Sequence, residues 1–358
     1  MQKKIIHGGN IYSATGQVRD VLDFSANLNP LGMPQAVKDA LTACPEEAEA
    51  YPDPFCRALR RALASFHQLP ADWILCGAGA ADLIYRLAYA LRPNCALMPS
   101  PTFAEYEQAL RAAGCEEFRF VPLSEREQFA VGEEFLQAVE PGVELVCLCN
   151  PNNPTGTATL KEWVLRLAER CRETGAVLLV DECFADFLEK EENYSVCNAL
   201  AKNRHVAVLR AFTKMYAMAG VRLGYLLSSN QNLLERMAEA GPPWNVSTIA
   251  SRCGIAALTC REHVARTRKV VAANRIILAA GLQKRGFRVY PSLANYLLFR
   301  SPVPELAEKL EQRGVLIRSC ANYRNLGDGF YRAAVRPEHE IHDLFDRLDS
   351  VLQKERGV

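Results

Sequence analysis

Lys214 stands in a setting suited to covalent chemistry. It closes the segment Arg210-Ala211-Phe212-Thr213-Lys214, directly after the apolar run Val206-Ala207-Val208-Leu209. Arg222 follows in Val221-Arg222-Leu223-Gly224-Tyr225. Upstream lie the turn Asn150-Pro151-Asn152-Asn153-Pro154-Thr155-Gly156 and, after another apolar run, Asp181-Glu182. A lysine amine can condense with an aldehyde. An acid can hold a pyridine nitrogen protonated, which makes the ring an electron sink. Asn153 can donate to a ring oxygen, and an arginine can clamp a phosphate. Those are the groups that a pyridoxal phosphate site needs.

Other residues fit the same chemistry. Gly77-Ala78-Gly79-Ala80 follows the run Trp73-Ile74-Leu75-Cys76 and opens a helical pattern. Glycine lets the backbone approach a phosphate, and a helix N-terminus offers free N–H groups. The backbone of Ala78 and Gly79 is therefore a candidate phosphate cradle, although the same turn also reads as a simple tight connection. Phe103, in Pro101-Thr102-Phe103, is either a core aromatic or a ring that stacks on the pyridine. Tyr51, in Ala50-Tyr51-Pro52-Asp53, is a loop tyrosine whose hydroxyl could reach a phosphate. Taken alone, Asp181 also fits a helix-capping role and Lys214 a surface role. Burial of Lys214 beside a cofactor would disfavour its ammonium form and make it nucleophilic.

These residues need a frame. Short continuous apolar runs at 95–98, 145–149, 176–180, 206–209 and 225–227 read as strands covered on both faces. Helical stripes at 81–91, 103–113 and 160–174 alternate with them, the last with Gly175 as a C-terminal cap. The pattern implies an α/β fold with a mostly parallel sheet, whose carboxyl edge is where ligands bind. A long helix is expected over 248–280, then strands at 296–300, 315–319 and 330–335, and helices near 305–312 and 338–353. The expected division is a large cofactor-binding unit at 31–247. A smaller α+β unit would be built from 1–30 and 248–358.

Composition narrows the class. The chain has 358 residues, 49% hydrophobic and 23% charged, as expected of a globular protein with a sizeable core. Lys+Arg 42 against Asp+Glu 41 leaves a net charge of +1, so nothing argues for nucleic acid. The 13 cysteines are scattered and include no C-x-x-C pair, so we expect no metal site and read them as small hydrophobes in a reducing cytoplasm. The first residues carry no apolar stretch of signal-peptide length, and no apolar run is long enough for a membrane. The expected location is cytoplasmic.

The whole chain resembles the fold-type I pyridoxal-phosphate enzymes, in the branch that holds histidinol-phosphate aminotransferase. The order of the Asn-Pro-Thr-Gly turn, Asp181, Lys214 and Arg222 carries that resemblance. His7-Gly8-Gly9-Asn10-Ile11, the segment from Asp23 to Gly32, Ala294-Asn295-Tyr296-Leu297-Leu298 and the segment from Leu316 to Tyr323 are more narrowly similar to the L-threonine-O-3-phosphate decarboxylases. Phe184 points the same way, because the aminotransferases usually carry a tyrosine there. The resemblance implies that Lys214 is the lysine bonded to the cofactor. Asp181 would face the ring nitrogen and Asn153 the ring oxygen. Thr213, Arg222 and the Ala78-Gly79 backbone would hold the cofactor phosphate, with Tyr51 reaching it from the other subunit of a homodimer. His7, Gly8, Asn27, Asn153, Arg318 and Arg332 would contact the substrate. Ala211, Ala78 and Ala80 depart from the more usual polar residues of the phosphate site.

The implied reaction is decarboxylation of O-phospho-L-threonine to (R)-1-amino-2-propanol O-2-phosphate, for cobalamin. Arg318 and Arg332 suit a substrate with two anionic groups, although each, taken alone, could instead form a structural salt bridge. In this chemistry the bond held perpendicular to the ring plane breaks, and the arginines would turn the carboxylate out of that plane. The alternatives are a histidinol-phosphate-type aminotransferase and an O-phospho-L-serine decarboxylase giving ethanolamine phosphate. The two phosphoamino acids differ by one methyl, which a pocket separates only modestly. A non-catalytic effector-binding unit of a transcription regulator has the same fold, but the chain is not basic.

Overall fold

The computed structural model describes residues 8–13, 15–43 and 46–355. In chain order the strands are β1 (Leu22–Asp23), β2 (Ile74–Gly77), β3 (Cys95–Ser100), β4 (Glu117–Pro122), β5 (Leu145–Cys149), β6 (Val177–Asp181), β7 (Val206–Ala211) and β8 (Gly224–Leu227). They continue as β9 (Arg288–Val289), β10 (Tyr296–Arg300), β11 (Val315–Leu316), β12 (Arg318–Ser319) and β13 (Phe330–Ala334).

The apolar runs form one seven-stranded sheet in the order β2-β8-β7-β6-β5-β3-β4. Its neighbours are parallel except at β8, which runs antiparallel to both β2 and β7. Every residue of β3, β5 and β7 is buried, as continuous apolar strands between two helical layers must be. The helix Lys161–Thr174 turns Val164, Leu167, Ala168 and Cys171 inward and stops at Gly175, whose φ of 82° is the left-handed cap. The helices Ala80–Leu91 and Glu105–Ala112 fill the other expected positions. The α/β class and mostly parallel sheet expected from the pattern are those of the protein.

A second core lies on the antiparallel sheet β12-β13-β10-β9. It gathers Leu278, Leu282, Phe299, Val315, Leu344 and Leu348, and it takes in Phe24 from the N-terminal segment. The Phe24 N–H donates to the Leu316 carbonyl at 2.8 Å, and its own carbonyl accepts from Ala334 N–H at 2.8 Å. The early chain is thereby stitched between β11 and β13.

Two expectations fail locally. The helix expected over 248–280 is two helices, Thr248–Leu258 and Arg261–Lys284. The chain turns at Thr259, whose hydroxyl donates back to the Ala256 carbonyl at 2.8 Å, a bond that competes with helical continuation. The first helix packs Ala250, Cys253 and Ala257 into the large-sheet core. The strand expected over 315–319 is also divided. β11 pairs parallel with β1, whereas β12 pairs antiparallel with β13, so the chain changes sheets at Ile317.

Among the described residues every cysteine is free, and no helix is long and apolar enough to cross a membrane.

Close packing of the second core generates a test. A Cβ at Gly281 would lie 1.9 Å from the Phe345 ring. Gly281→Val should therefore lower the unfolding free energy by about 1–3 kcal/mol in urea titration. An unchanged urea midpoint would mean that the helices Arg261–Lys284 and Glu338–Glu355 do not meet there.

Candidate active site

Three neighbouring strands deliver their carboxyl ends to one cavity of about 200 Å³. Asp181 ends β6, in register with Cys149 on β5 and Leu209 on β7. Asn153 follows β5, and the short helical turn Phe212–Met215 carries Thr213 and Lys214 just past β7. That turn is pinned from outside the sheet. Asn29 N–H donates to the Lys214 carbonyl at 3.1 Å, and the Asn29 amide donates to the Met215 carbonyl at 2.6 Å.

Lys214 gives up its proton more readily than a solvated lysine. Burial is the largest influence and pushes its amine down to about 8. The Arg332 and Arg222 charges lower it further, while Cys183 and Asp181 oppose them. The amine stands 5.7 Å from the centre of the Phe184 ring. Asp181 is buried, its Oδ2 accepting from the Tyr106 hydroxyl at 2.6 Å and its Oδ1 from the Cys183 N–H at 2.9 Å.

The second sheet supplies the opposite wall. Arg318 and Arg332 are direct cross-strand partners on β12 and β13, and both line the cavity. Arg332 is buried and donates through Nη1 to Asn153 Oδ1 and through Nη2 to the Ser25 carbonyl at 2.8 Å. Arg318 donates to Asn322 Oδ1 at 2.7 Å and lies over the Tyr323 ring. Two guanidinium groups set directly opposite repel each other, and burial magnifies that. Arg332 has only neutral acceptors among these contacts. The arrangement is suited to an anion.

Gly8, Asn27, Phe103, Asn153, Asp181, Thr213, Lys214, Arg222, Arg318 and Arg332 all line this one cavity. Phe103 meets Tyr106 edge-to-face at 5.6 Å. Ala78 and Gly79 do not line it, and their N–H groups are engaged by Asp82 Oδ2 at 2.9 Å and by the Gly77 carbonyl at 2.8 Å. The helix that follows faces the cavity through Ala80 and Ala81 instead. Gly79 still has a clear reason to be glycine. Its φ is +94°, and a Cβ there would lie 2.6 Å from the Arg222 guanidinium. Tyr51 lies outside the cavity of its own chain, 82% exposed, with its ring 4.9 Å from that of Trp244. His7 lies outside the described residues.

Sequence reasoning missed Ser25, Ala26, Cys149, Cys183 and Tyr323 in the wall, and Tyr106 behind it. Tyr323 had a signal, since it closes the segment that contains Arg318. Its hydroxyl is 3.4 Å from Asn153 Oδ1. Tyr106 had one too, standing one helical turn after Phe103.

The donor set fits pyridoxal phosphate. A half-buried amine of lowered basicity, a buried acid at a strand end, and Thr213 and Arg222 beside the helix start at Ala80 match its aldehyde, ring nitrogen and phosphate. Asn27 Oδ1 and Arg332 Nε are buried without a protein partner, so the cavity has polar capacity left for a ligand.

Comparison with known proteins agrees with this chemistry. The profile of the family described as aminotransferase class I and II matches residues 19–348. The chain belongs to the class I and II aminotransferase family, whose fold-type I members use pyridoxal phosphate. It is 38% identical to the threonine-phosphate decarboxylase of Salmonella typhimurium, over 97% of this chain and 96% of that one. It is 27% identical to the adenosylcobalamin biosynthesis bifunctional protein of Leptospira interrogans, over 96% of this chain and 41% of that one. The crystal structure of the histidinol-phosphate aminotransferase from Clostridium acetobutylicum superposes with a TM-score of 0.87 at 27% identity, covering 93% of this chain and all of that one.

The Lys214 environment predicts how the cofactor loads. Only the neutral amine attacks an aldehyde, so loading of cofactor-free protein should accelerate as pH rises and level off above a midpoint near 8. Stopped-flow absorbance would read this. A rate still climbing at pH 10 would place Lys214 in an ordinary solvated setting.

Proposed function

We propose that the protein is a pyridoxal-phosphate-dependent decarboxylase. It would convert O-phospho-L-threonine to (R)-1-amino-2-propanol O-2-phosphate and carbon dioxide, a step toward cobalamin. The observation that carries the reading is the in-register pair Arg318 and Arg332 in the cavity of Lys214 and Asp181. Such a pair suits a substrate with a carboxylate and a phosphate.

In this reading Lys214 holds the cofactor, Asp181 faces its ring nitrogen and Asn153 its ring oxygen. Phe103 covers one face of the ring. Thr213, Arg222 and the first turn at Ala80 and Ala81 bind the phosphate. Tyr51 reaches that phosphate from a second copy of the chain in a homodimer. His7, Gly8 and Asn27 close the substrate pocket with the two arginines. The large unit at 31–247 would hold the cofactor, and the remainder would contribute the arginines. We place the enzyme in the cytoplasm.

When bound, pyridoxal phosphate supplies an electron-accepting ring that takes the pair left by the breaking Cα–carboxylate bond. The residues do the rest. Arg318 and Arg332 grip the two anions and fix the direction of the carboxylate. Arg332 also holds Asn153 through its Oδ1, which leaves the amide N–H groups for the cavity. Phe184 adds an apolar wall beside the lysine, where water would compete for protons. After carbon dioxide leaves, the α-carbon needs one proton. Lys214, pushed down to about 8, populates its ammonium form near neutral pH and is placed to deliver it.

Purified protein with cofactor and O-phospho-L-threonine, and no keto acid, should release carbon dioxide and aminopropanol phosphate in equal amounts. Absence of carbon dioxide, with amino transfer once 2-oxoglutarate and histidinol phosphate are supplied, would move the protein to the aminotransferases. Parallel assays with O-phospho-L-serine measure the value of the methyl group. Arg332→Ala should cut kcat/KM for O-phospho-L-threonine by about 100-fold or more, as expected for a lost buried charge partner. Unchanged turnover in that variant would remove the anion-clamp role.

A further inference from the structure

We propose that Tyr106 is a positioning residue: it keeps the Asp181 carboxylate oriented and ionised, and so biases the proton between Asp181 and the cofactor's ring nitrogen onto that nitrogen. The inference rests on the cofactor assignment and not on which amino acid is the substrate.

Tyr106 lies in the first turn of the helix Glu105–Ala112, one turn beyond Phe103. It is 1% exposed, and its hydroxyl donates to Asp181 Oδ2 at 2.6 Å. That is a short, charge-assisted O–H bond. The second carboxylate oxygen is occupied by the Cys183 N–H. Both protein donors to Asp181 are therefore neutral.

The setting explains why neutrality matters. Titratable groups around Asp181 include Tyr106, Cys147, Cys149, Cys183, Tyr296 and Lys214, and Arg222, Arg318 and Arg332 line the same cavity. None of these cations donates to the Asp181 carboxylate in the hydrogen bonds of the described residues, and Lys214 serves the cofactor aldehyde. A carboxylate facing a pyridine nitrogen in such a place gains by collapsing to a neutral pair, with the proton on the acid. That collapse would leave the ring a poor electron sink. Hydrogen bonds donated to the ionised carboxylate oppose it. An arginine would oppose it more strongly, but would also neutralise the charge that the ring nitrogen needs. A phenol stabilises the anion without cancelling it. Burial, reinforced by the Asp181 charge, pushes the Tyr106 hydroxyl far above its ordinary range, so it stays protonated and remains a donor. The same ring braces Phe103 edge-to-face. One side chain thus sets both the acid and an aromatic wall of the cavity.

The test uses holoenzyme loaded with pyridoxal phosphate labelled with nitrogen-15 in the ring. In Tyr106→Phe the ring nitrogen resonance should move toward the unprotonated position. The pH midpoint of the cofactor's visible band should rise by about one unit, the value of roughly one charge-assisted hydrogen bond. Turnover of O-phospho-L-threonine should fall by about tenfold in kcat, with KM within about twofold. Installing 3,5-difluorotyrosine at position 106 preserves the shape and strengthens the donor, so the resonance and midpoint should move the opposite way. An unchanged resonance and midpoint in Tyr106→Phe, even with a lower Tm, would reduce the phenol to a packing role. If Tyr106→Phe does not fold, an unchanged resonance in the fluorinated protein overturns the proposal. Shifts that occur in a protein unable to decarboxylate O-phospho-L-threonine would sustain the role of Tyr106 and remove the substrate assignment instead.

Discussion

The site depends on crowding positive charge around one half-buried amine. Lys214, Arg332 and Arg222 bear on a common cavity, and Asp181 is the acid that faces them within it. In a medium of low dielectric their mutual repulsion is costly, and it adds to burial in making the lysine easier to deprotonate. The repulsion is relieved by anions from outside. A cofactor phosphate, a substrate phosphate and a substrate carboxylate are complementary to what the cavity leaves unbalanced. Burial, and second to it this repulsion, lowers the Lys214 amine, and the same repulsion suits the cavity to anionic partners.

No single core could build this arrangement. The parallel sheet sets Asp181, Asn153 and Lys214 at adjacent strand ends, but every one of those strands is committed to its own interior. The arginines come from β12 and β13, backed by the second core. The N-terminal segment ties the two together. Phe24 is locked between β11 and β13, while Asn29 bonds the backbone of Lys214 and Met215. Asn27 lies between these anchors and faces the cavity. A short stretch of chain therefore fixes the distance between the amine and the anion clamp.

Much of this was legible in the sequence because the strands are buried on both faces. Such strands read as uninterrupted apolar runs, so Asp181 and Lys214 stand out at their ends. Arg318 and Arg332 stand out as charges within the otherwise apolar stretches 315–320 and 330–335. What was not legible depends on side chains reaching across the fold. The split of 315–319 at Ile317 comes from two different partner strands, which no local pattern marks. The break at Thr259 rests on a side-chain bond to the backbone where neither glycine nor proline gives warning. Ala80 and Ala81 line the cavity where Ala78 and Gly79 do not, and Asp82, four residues on, claims the Ala78 N–H, which no local pattern marks. Tyr106 looks like a core aromatic in sequence, and its hydroxyl acquires meaning only from Asp181 lying 75 residues away.

The central claim is that two arginines from the second sheet meet the two anions of one substrate opposite Lys214. The most direct measurement is a crystal structure of the protein with pyridoxal phosphate and O-phospho-L-threonine, or with an unreactive analogue that keeps both anions. One anionic group of the ligand should lie on Arg332 and the other on Arg318, with the carboxylate turned out of the plane of the cofactor ring. A ligand with its carboxylate in that plane, or with neither anion on the β12 and β13 arginines, would contradict the claim.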